Sequence, residues 1–256
     1  MEKITSADGT LLAAEPTGSG PAVVLVGGAF NDRSTVAGTA AVLAGSHTAW
    51  TYDRRGRGDS ERIGPWPGAE AAVDAEIADL AAIVEAAGGD AVLVGHSSGA
   101  QLILEAVARG LPARRVVAYE PPYVVSGREP VDADLADRLA ALPPAEAAVL
   151  FLREGVGLPA EVVDGMAAGP EFGFLQQLAH TLPYDAALGR VSTLAGLARV
   201  SVPTLVLDGG DSPAWIRAGA AATAAAVPGA AYRTVPGEDH AILHRPEAFA
   251  AEISRG

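Results

Sequence analysis

Cysteine is absent from the 256 residues, which excludes disulfides, thiolate zinc sites and cysteine nucleophiles. Lysine is almost absent as well: Lys3 stands alone against 17 arginines, and with the abundant alanine this suggests a high-GC bacterial origin. A basic footprint is missing. The net charge of −13 argues against nucleic-acid partners and against an anionic membrane surface. No uninterrupted apolar run is long enough to span a bilayer, and Met1–Gly9 has no apolar leader core, so a cytoplasmic protein without membrane attachment is expected. There is no H-E-x-x-H and no opening G-x-G-x-x-G, so neither a metal nor any other cofactor is expected. Against these absences, 49% of residues are apolar and 19% charged, enough for one large core or a core with a modest lobe.

The order of elements points to an α/β fold with a doubly wound, mostly parallel sheet. Thr10–Glu15 reads as an early strand. Pro21–Val26 is a continuous apolar run ending in glycines, as central parallel strands are. A helix near Ser34–Ala44 follows, then strand His47–Tyr52. Helix Glu70–Ala87 places Val73, Ile77, Leu80 and Val84 on one face with Asp74 and Asp79 off it, and Gly88-Gly89 ends it. Strands Ala91–Val94 and Arg115–Tyr119 flank a further helix. The rhythm breaks at Pro121-Pro122. From there to about Ala198 only helices are expected: Asp132–Leu142, Ala145–Arg153, Ala160–Ala168 and Phe172–Leu182. Alternation resumes with strand Val202–Leu207, helix Ala214–Ala226, strand Ala231–Val235 and helix Glu247–Ile253. Residues 1–121 and 199–256 thus read as one core, and 122–198 as an all-helical cap, or lid, inserted between two strands.

Chemistry concentrates at Gly95-His96-Ser97-Ser98-Gly99, a G-x-S-x-G between a buried strand and a helix. A serine on such a turn is held strained and exposed, with glycines where side chains would clash. Its hydroxyl needs a base, oriented in turn by an acid. Of five histidines, His47 and His96 read as local, His180 sits in the helical segment, and His244 approaches the last helix. His240, in the loop after the last strand, is placed to act as general base and then acid. Glu120, Asp208 and Asp211 all follow strands at the edge where such sites assemble. Asp211 has a ready-made role capping the next helix, whereas Glu120 is stiffened by Pro121-Pro122. Glu120 is therefore favoured, with Asp211 the alternative. The oxyanion needs two backbone N–H donors, assigned to Ser98 and to Ala29 in the loop Gly27–Asn31, with Phe30 a further possibility. The segment Tyr52–Ser60 has no P-loop pattern and reads as a structural loop whose charges pair internally.

Together, Val26–Phe30, Tyr52–Ser60, Gly95–Gly99, Pro203–Leu207 and Gly237–His240 resemble the α/β-hydrolase superfamily over essentially the whole chain, in the chain order nucleophile, acid, histidine. Two departures stand out. Gly27-Gly28 replaces the usual His-Gly, and Ser212 stands at the usual acid position. Some members, including haloalkane dehalogenases and zearalenone-type lactonases, carry a glutamate acid where Glu120 stands. A serine at the elbow argues against dehalogenase or epoxide-hydrolase chemistry. The resemblance implies a serine esterase or lactonase acting on a small, largely apolar molecule through an acyl-enzyme, with Phe30, Phe151, Phe172, Phe174, Leu175 and His180 as pocket candidates. C–C cleavage, perhydrolysis, and a receptor that binds a small molecule without turnover are the alternatives. The chain is expected to be a monomer or homodimer.

Overall fold

The computed structural model describes residues 1–125 and 131–255; residues 126–130 of the expected cap and Gly256 of the expected core lie outside it. Strands β1 (Glu2–Thr5), β2 (Leu11–Gly18) and β3 (Ala22–Val26) lead to helix α1 (Arg33–Leu43), then β4 (Thr48–Tyr52) and helix α2 (Ala69–Ala86). Next come β5 (Val92–His96), α3 (Ser98–Ala108) and β6 (Arg115–Tyr119). Between β6 and β7 (Thr204–Gly209) the described residues form helices only: α4 (Leu135–Ala140), α5 (Pro144–Leu150), α6 (Ala160–Ala167), α7 (Phe172–Leu178) and α8 (Leu182–Val191), with short 3₁₀ and π turns. Helix α9 (Ala214–Ala226), β8 (Ala231–Val235) and α10 (Pro246–Ser254) complete the chain.

The eight strands form one sheet in the order β1-β2-β4-β3-β5-β6-β7-β8. β1 and β2 pair antiparallel, as do β2 and β4, and every later pairing is parallel. The apolar strands are buried on both faces. Val23, Leu25, Val94 and Val117 pack with Leu43 of α1 and Phe249 of α10, while Val24, Leu93 and Val116 pack with residues of α2 and α3. The chain reverses its direction of travel across the sheet between β3 and β5, and ligand crevices open at the carboxyl ends of strands at such a switch point.

Two elements were not expected. The opening strand β1 is short and mostly exposed, so it carries little of the alternation by which strands are read. Helix α8 was missed because Pro183 reads as a stop. Proline is tolerated in the first turn, where its missing N–H has no acceptor to lose, and Pro183 is the second residue of α8.

The loop between β4 and α2 also differs from expectation. Its charges do not pair mainly among themselves. Arg54 bonds Glu76 of α2 and Asp185 of α8, Arg55 bonds Asp79 and Asp8, and Arg57 bonds Asp185. Asp79, expected off the buried face of α2, is therefore buried, and Glu76 with it. Arginine partners make burial of these carboxylates affordable, which hydropathy alone cannot reveal.

Candidate active site

Three residues other than glycine have positive φ among the described residues: Phe30 (57°), Ser97 (56°) and Glu120 (47°). All three follow central strands, β3, β5 and β6, on the same edge of the sheet. L-residues there cost of order 1–3 kcal/mol each and persist only where the surroundings impose the conformation. The reason at Ser97 is visible. It caps α3 with φ 56° and ψ −127°, and a Cβ on Gly99 would come within 2.7 Å of the Gly27 carbonyl oxygen. A Cβ on Gly28 would sit 2.8 Å from Ser97 Cβ. Glycines thus let the β3 loop lie directly against the elbow.

His240 Nδ1 lies 2.5 Å from Glu120 Oε2, and Glu120 Oε1 accepts the Gly209 N–H at 2.8 Å. Glu120 is fully buried, while the His240 side chain is partly open. The loop that carries His240 is tied down twice. Tyr119 Oη donates to the Asp239 carbonyl at 2.7 Å, and His96 Nε2 lies 2.8 Å from the His240 carbonyl oxygen. His96 is 6% exposed and its ring stands 4.6 Å from that of His240. Burial first, then the nearby imidazoles of His240 and His244, push its pKa down to about 3, so His96 is neutral and donates from Nε2.

The other candidate acids have different partners. Asp208 Oδ2 accepts from Tyr232 Oη at 2.6 Å and Arg217 Nε at 3.2 Å. Asp211 is exposed and holds the Glu238 carbonyl through its backbone N–H. The capping role expected of Asp211 is not seen, since the N-cap of α9 is Pro213 and no side chain caps the helix.

Ser97, His240, Ala29 and Ser98 share the wall of a cavity of about 750 Å³, which Val131, Leu135, Phe151 and Val156 of the helical segment also line. Phe30 and Phe151 line it, edge to face with ring centres 5.7 Å apart. Phe151 opens a π-helical turn, and its ring packs where a Cβ on Gly155 would be. The remaining pocket candidates fall elsewhere. Phe174 is 44% exposed and does not line this cavity. His180 is exposed and bonds the Gly56 carbonyl. Phe172 and Leu175 pack within the helical segment instead. A helix must bury one face against its neighbours, and aromatic composition does not tell that face from a pocket wall.

Sequence reading missed Asp185 altogether. Arg54, Arg57 and the Ser98 hydroxyl all donate to this fully buried carboxylate of α8, which also lines the cavity. Burial alone would raise its pKa, but the Arg57 and Arg54 guanidiniums and the Ser98 hydroxyl hold it below the ordinary value. Only the unrecognised helix could have flagged it.

A predominantly parallel sheet with a strained serine elbow after β5 and a histidine–carboxylate pair beside it defines a hydrolase-type α/β protein. The chain belongs to the alpha/beta hydrolase family, whose model matches residues 23–252. Among solved structures it is similar to an alpha/beta hydrolase from Sphaerobacter thermophilus, with 45% identity, a TM-score of 0.87 and 98% of each chain covered. It is also similar to a malate-bound thermophilic esterase from Thermogutta terrifontis, at 26% identity and a TM-score of 0.70, covering 98% of this chain and 96% of that one. N-formylmaleamate deformylase of Pseudomonas putida is 35% identical over 113 residues, 43% of this chain and 41% of the relative. The chain spans less than half the length of the curated relatives it matches. No described helix is long and apolar enough to cross a membrane.

Proposed function

We propose that the protein is a serine hydrolase that cleaves a carboxylic ester or lactone of a small, largely apolar molecule. The observation that carries this reading is the Glu120–His240 hydrogen bond beside an elbow serine on the same cavity wall. Ser97 Oγ attacks the acyl carbonyl while His240 Nε2 takes its proton; Glu120 holds the imidazole in the tautomer with its proton on Nδ1 and stabilises the imidazolium. The N–H groups of Ala29 and Ser98 receive the oxyanion. His240 then protonates the leaving alcohol or ring oxygen, and a water deprotonated by His240 releases the acid. Residues 122–198 serve as a cap over residues 1–121 and 199–256, enclosing the acyl group among Phe30, Phe151 and aliphatic neighbours. No metal or other cofactor enters this scheme, and neither does a nucleic-acid or membrane partner.

The test is labelling of Ser97 by a fluorophosphonate together with sustained turnover of short p-nitrophenyl esters. Ser97→Ala is expected to abolish labelling and to lower kcat by ~10⁴-fold or more, as loss of a nucleophile does in studied hydrolases. A single stoichiometric acylation without turnover would instead identify a ligand receptor on a hydrolase scaffold.

A further inference from the structure

The geometry points to Arg57 and Asp185 as positioning residues that set the oxyanion-binding peptides and couple them to the helical segment. This rests on the serine-hydrolase reading above. Arg57 is 1% exposed, too deep for a solubilising charge. Its Nη1 donates to the Gly28 carbonyl at 2.5 Å and to the Asn31 carbonyl at 3.0 Å. Arg54 Nη1 reaches the Gly27 carbonyl at 3.4 Å. Three carbonyls of one short loop are therefore held by two guanidiniums.

The Gly28 carbonyl matters most, because it belongs to the same peptide unit as the Ala29 N–H. That peptide is trans, so C=O and N–H point in opposite directions. A cation gripping the oxygen from behind fixes the plane and polarises the N–H on the cavity side, as charge-assisted chains of hydrogen bonds do in a low dielectric. The second donor is tied to the same group. Asp185 Oδ1 accepts the Ser98 hydroxyl at 2.7 Å, while Asp185 takes Arg57 Nη2 at 2.9 and 3.0 Å and Arg54 Nη1 at 2.8 Å. Both peptides that would receive the oxyanion thus converge on a single carboxylate carried by α8. Glu76 completes the cluster by pairing with Arg54, leaving two cations against two anions.

The test compares Arg57→Lys, Ser98→Ala and Asp185→Asn with Arg55→Lys. That control disturbs the same loop through its bonds to Asp79, Asp8 and the Ala75 carbonyl and its interaction with Tyr184, but touches neither Asp185 nor the Gly27–Asn31 carbonyls. Activity on p-nitrophenyl butyrate is normalised to active sites titrated with a fluorophosphonate, below the melting temperature of each variant. Affinity for an alkyl trifluoromethyl ketone is measured in parallel; Ser97 Oγ adds to its carbonyl, the proton passes to His240, and the resulting hemiketal oxygen carries the negative charge. Removing an oxyanion donor outright costs 10²–10³-fold, so misorienting one in Arg57→Lys is expected to lower kcat by about 10–100-fold. KM should change less than about 3-fold, ketone affinity should fall in step with kcat, and the midpoint of the pH–rate profile should stay put. Ser98→Ala, which keeps every charge, should show the same pattern more weakly, and Asp185→Asn should fall between the two. Arg55→Lys is expected to lower the melting temperature while leaving normalised kcat alone. Unchanged kcat and ketone affinity in folded Arg57→Lys and Ser98→Ala would overturn the assignment, as would an equal loss in Arg55→Lys. An active Ser97→Ala would instead overturn the serine-hydrolase reading beneath it.

Discussion

The ends of β6 and β7 carry two carboxylates one strand apart, Glu120 and Asp208, both 0% exposed. The strands run parallel in register, Tyr119 opposite Leu207, and the Glu120 N–H bonds the Leu207 carbonyl. Nearly identical positions nonetheless lead to different fates. Glu120 turns at φ 47° and reaches the imidazole of His240, anchored from behind by the Gly209 N–H. Asp208 continues β7 with ordinary strand geometry and is taken up by Tyr232 and Arg217. The two carboxylates thus differ in backbone torsion and in side-chain length as well as in the strand they follow, and only Glu120 meets a histidine.

This contrast can be broken by substitution. Glu120→Gln keeps the shape but loses the charge and the tautomer control, and kcat on p-nitrophenyl esters is expected to fall ~10³–10⁴-fold with little change in melting temperature. Glu120→Asp keeps the charge but shortens the reach, and a loss of about 10–100-fold in kcat is expected, consistent with the sensitivity of catalysis to misplacement by 1 Å. Asp208→Asn should do the reverse. Its kcat stays within about 3-fold of the parent, while stability by urea titration drops by ~1–3 kcal/mol, because the amide leaves a buried polar group without a partner. Asp211→Asn, at an exposed side chain, should alter stability by less than about 0.5 kcal/mol and leave kcat unchanged. A large kcat loss in Asp208→Asn or Asp211→Asn, with Glu120→Gln near parental, would reverse the comparison.

A pH experiment sharpens the same region. Burial holds the His96 pKa at about 3 in the folded protein, below the ordinary imidazole value of 6.5, so the unfolded chain binds the extra proton between these limits. Its contribution is fully present above about pH 6.5 and is lost as pH falls toward 3, with a slope of ~1.4 kcal/mol per unit. His96→Gln should flatten the dependence of unfolding free energy on pH across that window.

Much of the molecule was legible from local pattern. The strand before Ser97, the elbow glycines and the alternation of β and α all follow from neighbours in sequence, where chain sterics and burial on both faces leave few options. Helix α8 was not legible, because a proline in a first turn looks the same as one that ends a helix. The buried arginine loop was not legible either, since Arg54 and Arg57 find their carboxylates on α2 and α8, far along the chain. Phe151 and Phe174 have the same composition signal and opposite outcomes, one in the cavity wall and one 44% exposed.

By itself the sequence determined the elbow, the sheet it stands on and the absence of thiol chemistry, because each depends on residues within a few positions or on composition. Tertiary structure decided which acid meets His240, across 120 residues of chain, and which groups hold the Gly28–Ala29 peptide. Such pairings turn on the relative placement of strand ends and a helix packed across them, and no local propensity encodes that distance.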